Sequence, residues 1–145
     1  MKLSQSVAYA VHATLRLADN SDAAPISCSR LAEEGKMPER FLLQILRDLA
    51  KQGILQSTRG GGGGFMLDRR PEEISLLEVV EAVDGPLTAA LPLRASFPHP
   101  AGDRLFSILR EVTDETRRQL QSVKLSDLAA STNSEPQAAR SARAR

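Results

Sequence analysis

The sequence predicts a mainly helical fold carrying one small β-hairpin, and three observations support that class. Leu3, Val7, Ala10, Val11, Thr14 and Ala18 recur at helical spacing; residues 27–53 hold two short helical segments divided by Gly35 and Pro38; and residues 54–67 read as strand, glycine-rich tip and strand. Helix, helix, strand, five consecutive glycines and strand is the plan of a winged helix-turn-helix. In that plan one helix enters the DNA major groove and the hairpin wing lies against the flanking backbone. A long helix towards the C-terminus completes the expected architecture.

Taken in order, the first helix is expected over residues 4–19, with Ser4 as its cap and the turn after Asp19 as its end. Pro25 and Ile26 suit a short strand. Ser27 caps a second helix through Glu34, which Gly35 stops. Pro38 suits the first turn of a third helix, where its missing N–H costs nothing, and Gly53 closes that helix. Residues 54–57 are expected as the outgoing strand, 58–64 as the tip and 65–67 as the return strand, interrupted by Pro71. Ile74, Leu77, Val80 and Val83 mark a fourth helix ending at Asp84, Gly85 and Pro86. A loop over 86–101 contains Pro86, Pro92, Pro98 and Pro100.

The last helix is expected over 102–129, with Leu105, Leu109, Val112, Thr116, Leu120 and Val123 along one side. A solitary helix with such a stripe needs a partner surface, and the same helix of a second subunit is the economical choice. The expected organisation is thus a DNA-binding domain over 1–85, the loop, this dimerisation helix, and a disordered polar tail over 130–145.

Composition narrows the class. Hydrophobic residues make up 41% of the 145 but aromatics only 3%, so the core must be built from Leu, Ile, Val and Ala. No stretch approaches the roughly 20 apolar residues of a membrane span, and the N-terminal residues show no secretory apolar run, so a cytoplasmic protein is expected. One cysteine excludes an intrachain disulfide and any multi-cysteine metal site within a chain. Net charge is only +1, yet residues 1–70 carry ten Lys/Arg against seven Asp/Glu while residues 71–129 carry six against ten. The basic surplus lies with the half expected to meet phosphates.

On the third helix, Phe41, Leu42, Ile45, Leu46 and Leu49 project to one side and are expected in the core, while Arg40, Gln44, Arg47 and Lys51 fall opposite. Arg and Gln are the side chains that read guanine and adenine edges, and Leu43 on the flank suits a thymine methyl. Such a face taken alone reads as plain solvated surface before a groove contact; the neighbouring helix, strand and wing reverse that preference. The glycine run admits a flexible linker, a phosphate-cradling loop or a wing tip. The phosphate loop requires Gly-Lys-Ser/Thr opening a helix, whereas Phe65-Met66-Leu67-Asp68 follows here. The apolar strand residues on both sides favour the wing, with Arg59 placed to reach a minor groove.

The expected DNA contacts are Ser27, Pro38, Glu39, Arg40, Leu43, Gln44 and Arg47, with Arg59, Gly60 and Gly61 from the tip. Lys2, Tyr9 and Lys51 are candidate phosphate contacts, Tyr9 being equally suited to packing against a partner subunit. Cys28 reads as a small semi-buried residue, the alternative being a redox-sensing thiol with a pKa lowered by nearby cations. His12 and His99 read as surface residues before ligands, and neither a metal site nor a catalytic constellation is expected.

These residues carry a family resemblance. Arg59-Gly60, Gly63-Gly64-Phe65, Leu67, Arg70-Pro71 and Ile74, set within residues 26–85, together with the opening LSQSVAYAVHATLRLA and the closing VKLSDLA, resemble the Rrf2 family of bacterial winged-helix regulators (the IscR/NsrR type). The resemblance implies homodimers on operator DNA with the long fifth helix as the interface. Relatives that sense through an iron–sulfur cluster carry three cysteines between the fourth and fifth helices; here that loop has none, so the chain resembles a cluster-free member without cofactor. The expected function is sequence-specific transcriptional regulation, as a repressor on a pseudo-palindromic operator, with a small-molecule or protein effector not identified. The alternative is a winged helix that binds protein without specific DNA binding.

Overall fold

The computed structural model describes residues 1–20 and 24–133. Helix α1 (Gln5–Ala18) starts where the Ser4 hydroxyl accepts the Val7 N–H at 3.1 Å, and it buries Val7, Ala10, Ala13, Thr14 and Leu17. Thr14 lies wholly inside because its hydroxyl donates to the carbonyls of Ala10 and Val11, at 2.9 and 3.0 Å, so nothing polar is left unpaired. Helix α1 packs against α2, α3 and α4 and supplies the centre of the core.

Helix α2 (Cys28–Gly35) is capped by Ser27, which accepts the Arg30 N–H at 3.2 Å. The helix includes Gly35, and the left-handed residue that ends it is Lys36 (φ 53°), one position later than expected. Gly35 serves packing instead: a Cβ there would lie 2.5 Å from Met37 Cε and 3.1 Å from His12 Cε1. Helix α3 (Glu39–Lys51), with Pro38 at its N-cap, buries Leu42, Ile45, Leu46 and Leu49. Phe41 departs from the expected core set. It lies about 90° round the helix from the centre of that face, is 43% exposed, and rests edge-on against Tyr9 with ring centroids 5.7 Å apart.

Strands β1 (Leu55–Thr58) and β2 (Gly64–Leu67) pair antiparallel, Leu55 opposite Leu67 and Thr58 opposite Gly64. The expected strand at Pro25 and Ile26 reduces to one bridge, in which Ile26 and Phe65 exchange two backbone hydrogen bonds of 3.0 and 2.8 Å. That bridge ties the wing to the start of α2.

After a single 3-10 turn at Pro71–Glu73, helix α4 (Leu76–Asp84) opens with a capping box between Ser75 and Glu78. Ile74 therefore precedes the helix it was expected to join: it is extended, fully buried, and its carbonyl accepts the Leu125 N–H at 3.0 Å. The loop at 86–100 contains a second 3-10 turn, Arg94–Ser96.

The helix expected over 102–129 is two helices. Helix α5 (Ala101–Ser122) ends at Val123, which is extended (φ −89°, ψ 121°), and helix α6 (Leu125–Asn133) turns back onto α1. The break has an energetic cause. Residues 123–125 run beside 74–76, with Leu76 N–H donating to the Val123 carbonyl at 2.8 Å and Ser75 bridging Lys124, and this pairing buries Leu125 completely. A continuous helix would keep Leu125 in solvent. Residues 130–133 of the expected tail belong to α6, and the rest of that tail lies outside the described residues.

Candidate nucleic-acid interface

The core face of α3 fixes what its other face presents. With Leu42, Ile45, Leu46 and Leu49 buried, Arg40, Gln44, Arg47 and Lys51 are exposed, and Leu43 lies half-buried between the two sides. Pro38 is exposed at the helix start. Glu39 beside it is engaged, since its carboxylate accepts the Ser29 hydroxyl at 2.6 Å and so ties α3 to α2. Ser27 is exposed, but its hydroxyl is committed to capping α2.

Charge pairing separates the arginines into two groups. Arg16, Arg30, Arg69, Arg70, Arg94, Arg117 and Arg118 each hold a carboxylate within ion-pair distance. Among the described residues, no hydrogen bond or ion pair engages the side chain of Arg40, Arg47 or Arg59, nor that of Arg104 and Arg110 on α5, nor that of Lys2 or Lys51. An unpaired guanidinium keeps its full charge and five donors for phosphate or guanine.

At the wing tip Arg59, Gly60 and Gly61 are exposed, and the Gly63 N–H closes a turn on the Gly60 carbonyl at 2.9 Å. Gly60 has φ 106°, which favours glycine. Gly64 is required for a different reason: a Cβ there would sit 2.4 Å from the Ile26 carbonyl oxygen and 2.8 Å from Ser27 N. Gly61 and Gly62 have open space and no such constraint.

The wing base is braced by Arg69. Its guanidinium donates to the carbonyls of Gly53 and Glu73, both at 3.4 Å, and to Glu78 at 2.8 Å. Burial raises the Glu78 pKa, but the Ser75 N–H and Arg69 outweigh it and hold the carboxyl below its ordinary value. Sequence reasoning missed this brace and also Asp48, whose carboxylate accepts from Gln44 at 3.1 Å. The four-residue spacing of Gln44 and Asp48 was the available signal.

The Tyr9 hydroxyl accepts from Gln5 at 2.9 Å, which leaves its own O–H to donate, while its ring meets Phe41 edge-on. Cys28 is half-buried with Sγ 3.6 Å from the Glu39 carbonyl. Burial and Glu39 push its pKa up against the opposing pull of Arg47, the reverse of the shift a sensing thiolate requires. His99 lies 3.7 Å from Asp103, and no group of three metal-ligating side chains occurs among the described residues.

Helix α5 is not solitary. Part of its apolar arc packs on α4, where Arg117 pairs with Glu81 and donates to the Leu87 carbonyl. Leu109, Thr116 and Leu120 are half-buried, while Leu105 (36%), Ile108 (47%) and Val112 (59%) stay exposed. The apolar arc is wider than the surface α4 covers, and Ile108, absent from the expected stripe, belongs to the uncovered strip.

Residues 3–131 match the Rrf2 family, described as iron-dependent transcriptional regulators. An Rrf2-like HTH-type regulator of Rhodobacter capsulatus is 31% identical over 141 residues, spanning 90% of this chain and 94% of its own. The HTH-type regulator CymR of Bacillus subtilis is 28% identical, spanning 95% of this chain and 96% of its own. Escherichia coli IscR is 37% identical over 84 residues, 58% of this chain and 52% of its own. Among solved structures, B. subtilis CymR, the global cysteine regulator, superposes with a TM-score of 0.74 at 26% identity over 90% of this chain and 97% of that one. The T. potens IscR structure gives 0.71 at 25% identity, covering 94% of this chain and 93% of the other.

Proposed function

We propose, from the premise that the chain belongs to the Rrf2 family of DNA-binding transcriptional regulators, that it acts in the cytoplasm as a homodimeric repressor on a pseudo-palindromic operator. Helix α3 enters the major groove, with Arg40, Gln44 and Arg47 towards base edges and phosphates and Leu43 at the rim. Arg59, Gly60 and Gly61 take the adjacent backbone or minor groove. Ser27 and Pro38 bring the starts of α2 and α3 up to the phosphates, Glu39 holding the two helices together. Lys51 and Lys2 serve as outlying phosphate contacts.

The supporting observation is the allocation of charge. Seven of the nine other described arginines spend their charge on carboxylates, Arg104 and Arg110 on α5 being the exceptions, whereas none of Arg40, Arg47 and Arg59, which lie on one helix face and the wing tip, does so. Leaving cations unpaired on one helix face and at a hairpin tip is what a polyanionic partner requires. The uncovered strip of Leu105, Ile108 and Val112 supports dimerisation through α5. Regulation of this kind needs binding and no catalysis.

The iron that the family description mentions does not fit these residues. Cys28 is the one cysteine of the sequence, so a dimer offers two thiolates, neither in the loop at 86–100. A [2Fe–2S] cluster takes about four thiolates or imidazole substitutes. The reading therefore includes no cluster.

Binding of the full-length chain to a random duplex at two salt concentrations tests the reading. The expected result is salt-sensitive affinity, its slope falling by about one when Arg47→Ala or Arg59→Ala removes a phosphate-binding cation. A protein-interaction module would show neither the affinity nor the slope.

A further inference from the structure

We infer that Asp48 is a positioning residue that makes Gln44 an adenine reader by occupying one of its two amide donors. The inference rests on the reading of α3 as the groove helix. A free glutamine amide can meet adenine with one donor and its carbonyl, matching N6 and N7, or can turn both N–H groups towards the two acceptors of guanine, N7 and O6. The residue type alone does not choose between these bases.

Gln44 is not free. Its Nε2 donates to Asp48 Oδ1 at 3.1 Å, one helical turn on. The amide orientation follows from chemistry, because an ionised carboxylate only accepts and would repel Oε1. Asp48 is half-buried and Gln44 exposed, so the anchor sits behind the reader. With one N–H held, Gln44 keeps one donor and one acceptor. That pair complements adenine and leaves one guanine acceptor facing a carbonyl oxygen.

The neighbouring groups sharpen the assignment. Arg40 and Arg47 have no bond to either side chain among the described residues, so Asp48 is not drawn away into an ion pair. Glu39, at the opposite end of the helix, is bound to Ser29. The carboxylate of Asp48 acts through Gln44 and adds nothing attractive to phosphate itself.

The test is binding of the full-length protein to a library of operator variants, comparing wild type, Gln44→Ala, Asp48→Ala and the double variant, with a random duplex as control. Wild type should prefer adenine over guanine at one position per half-site by about tenfold or more, the scale of a bidentate contact. Asp48→Ala should reduce that ratio to about threefold or less at that position alone, while random-duplex affinity holds or rises with the loss of a negative charge. In the Gln44→Ala background, Asp48→Ala should change no base preference. If Gln44→Ala changes preference and Asp48→Ala does not, the positioning role is wrong and the groove helix stands. Asp48→Ala losses spread evenly over all sequences would equally remove the role, marking Asp48 as merely structural. If Gln44→Ala itself changes nothing, Gln44 is no reader and the role of Asp48 falls with it, while the groove reading falls only if Arg40→Ala is silent as well.

Discussion

Replacing Gly64 with alanine separates a structural glycine from its neighbours in the run. The added Cβ would stand 2.4 Å from the Ile26 carbonyl oxygen, 2.5 Å from its carbonyl carbon and 2.8 Å from Ser27 N. All three are backbone atoms, so no side-chain rotation relieves the clash. The wing must move off residue 26, which breaks the two Ile26–Phe65 hydrogen bonds. At about 0.5–1.5 kcal/mol each, breaking them predicts a destabilisation of about 1–3 kcal/mol. Gly61→Ala and Gly62→Ala place a methyl in open space and should stay within about 0.5 kcal/mol of wild type. Urea unfolding followed by circular dichroism reads the stabilities, and duplex binding reads the wing. Gly64→Ala should lose both stability and affinity, whereas Gly61→Ala should keep its stability and lose affinity to the extent that the tip lies on DNA. A Gly64→Ala protein as stable as wild type would show that the wing is not held by this bridge.

Three further outcomes follow from the same geometry. Ile108→Glu combined with Val112→Glu should give monomers in sedimentation at micromolar concentration; wild-type protein that is itself monomeric there would end the α5 interface. Glu78, held below its ordinary pKa by Ser75 and Arg69, contributes stability that is complete above the unfolded-state value and is lost as pH falls through the folded one. Stability should therefore decline below about pH 4–5 less steeply in Glu78→Gln than in wild type, and parallel acid limbs would refute that contribution. Protein purified without oxygen should be colourless and free of stoichiometric iron; visible absorbance with bound iron would overturn the cluster-free reading.

Where local chemistry decides structure, the sequence was readable: the Ser4 and Ser27 caps, the α3 core stripe from Leu42 to Leu49, and the two strands flanking the glycines, each observed within one residue of the expected bounds, all follow from residue type and spacing. Tertiary pairing overrode spacing in two places. Val123 continues the apolar period of α5, yet the strand-like pairing of 123–125 with 74–76 ends the helix there. Ile74 shares the period of α4 but is held in that pairing and excluded by the Ser75 cap. Phe41 is hydrophobic enough for the core, but its angular position puts it at the rim with Tyr9. At the candidate interface, periodicity placed Arg40, Gln44 and Arg47 on one face. The four-residue spacing of Gln44 and Asp48 was a readable signal, whereas which cations are unpaired, and that Ser29 holds Glu39, depends on side-chain partners that no linear pattern specifies.

The central claim is that α3 reads base edges while the wing tip holds the backbone. Its most direct test is the operator-library profile of Arg40→Ala, Gln44→Ala and Arg59→Ala at two salt concentrations. Arg40→Ala and Gln44→Ala should each relax preference at discrete positions, at a cost of about 1–3 kcal/mol. Arg59→Ala should weaken all sequences together, with a bias against A·T-rich flanks if the guanidinium enters a narrow minor groove. If Arg40→Ala and Gln44→Ala leave both the preferred sequence and the affinity unchanged, α3 is not the reading helix.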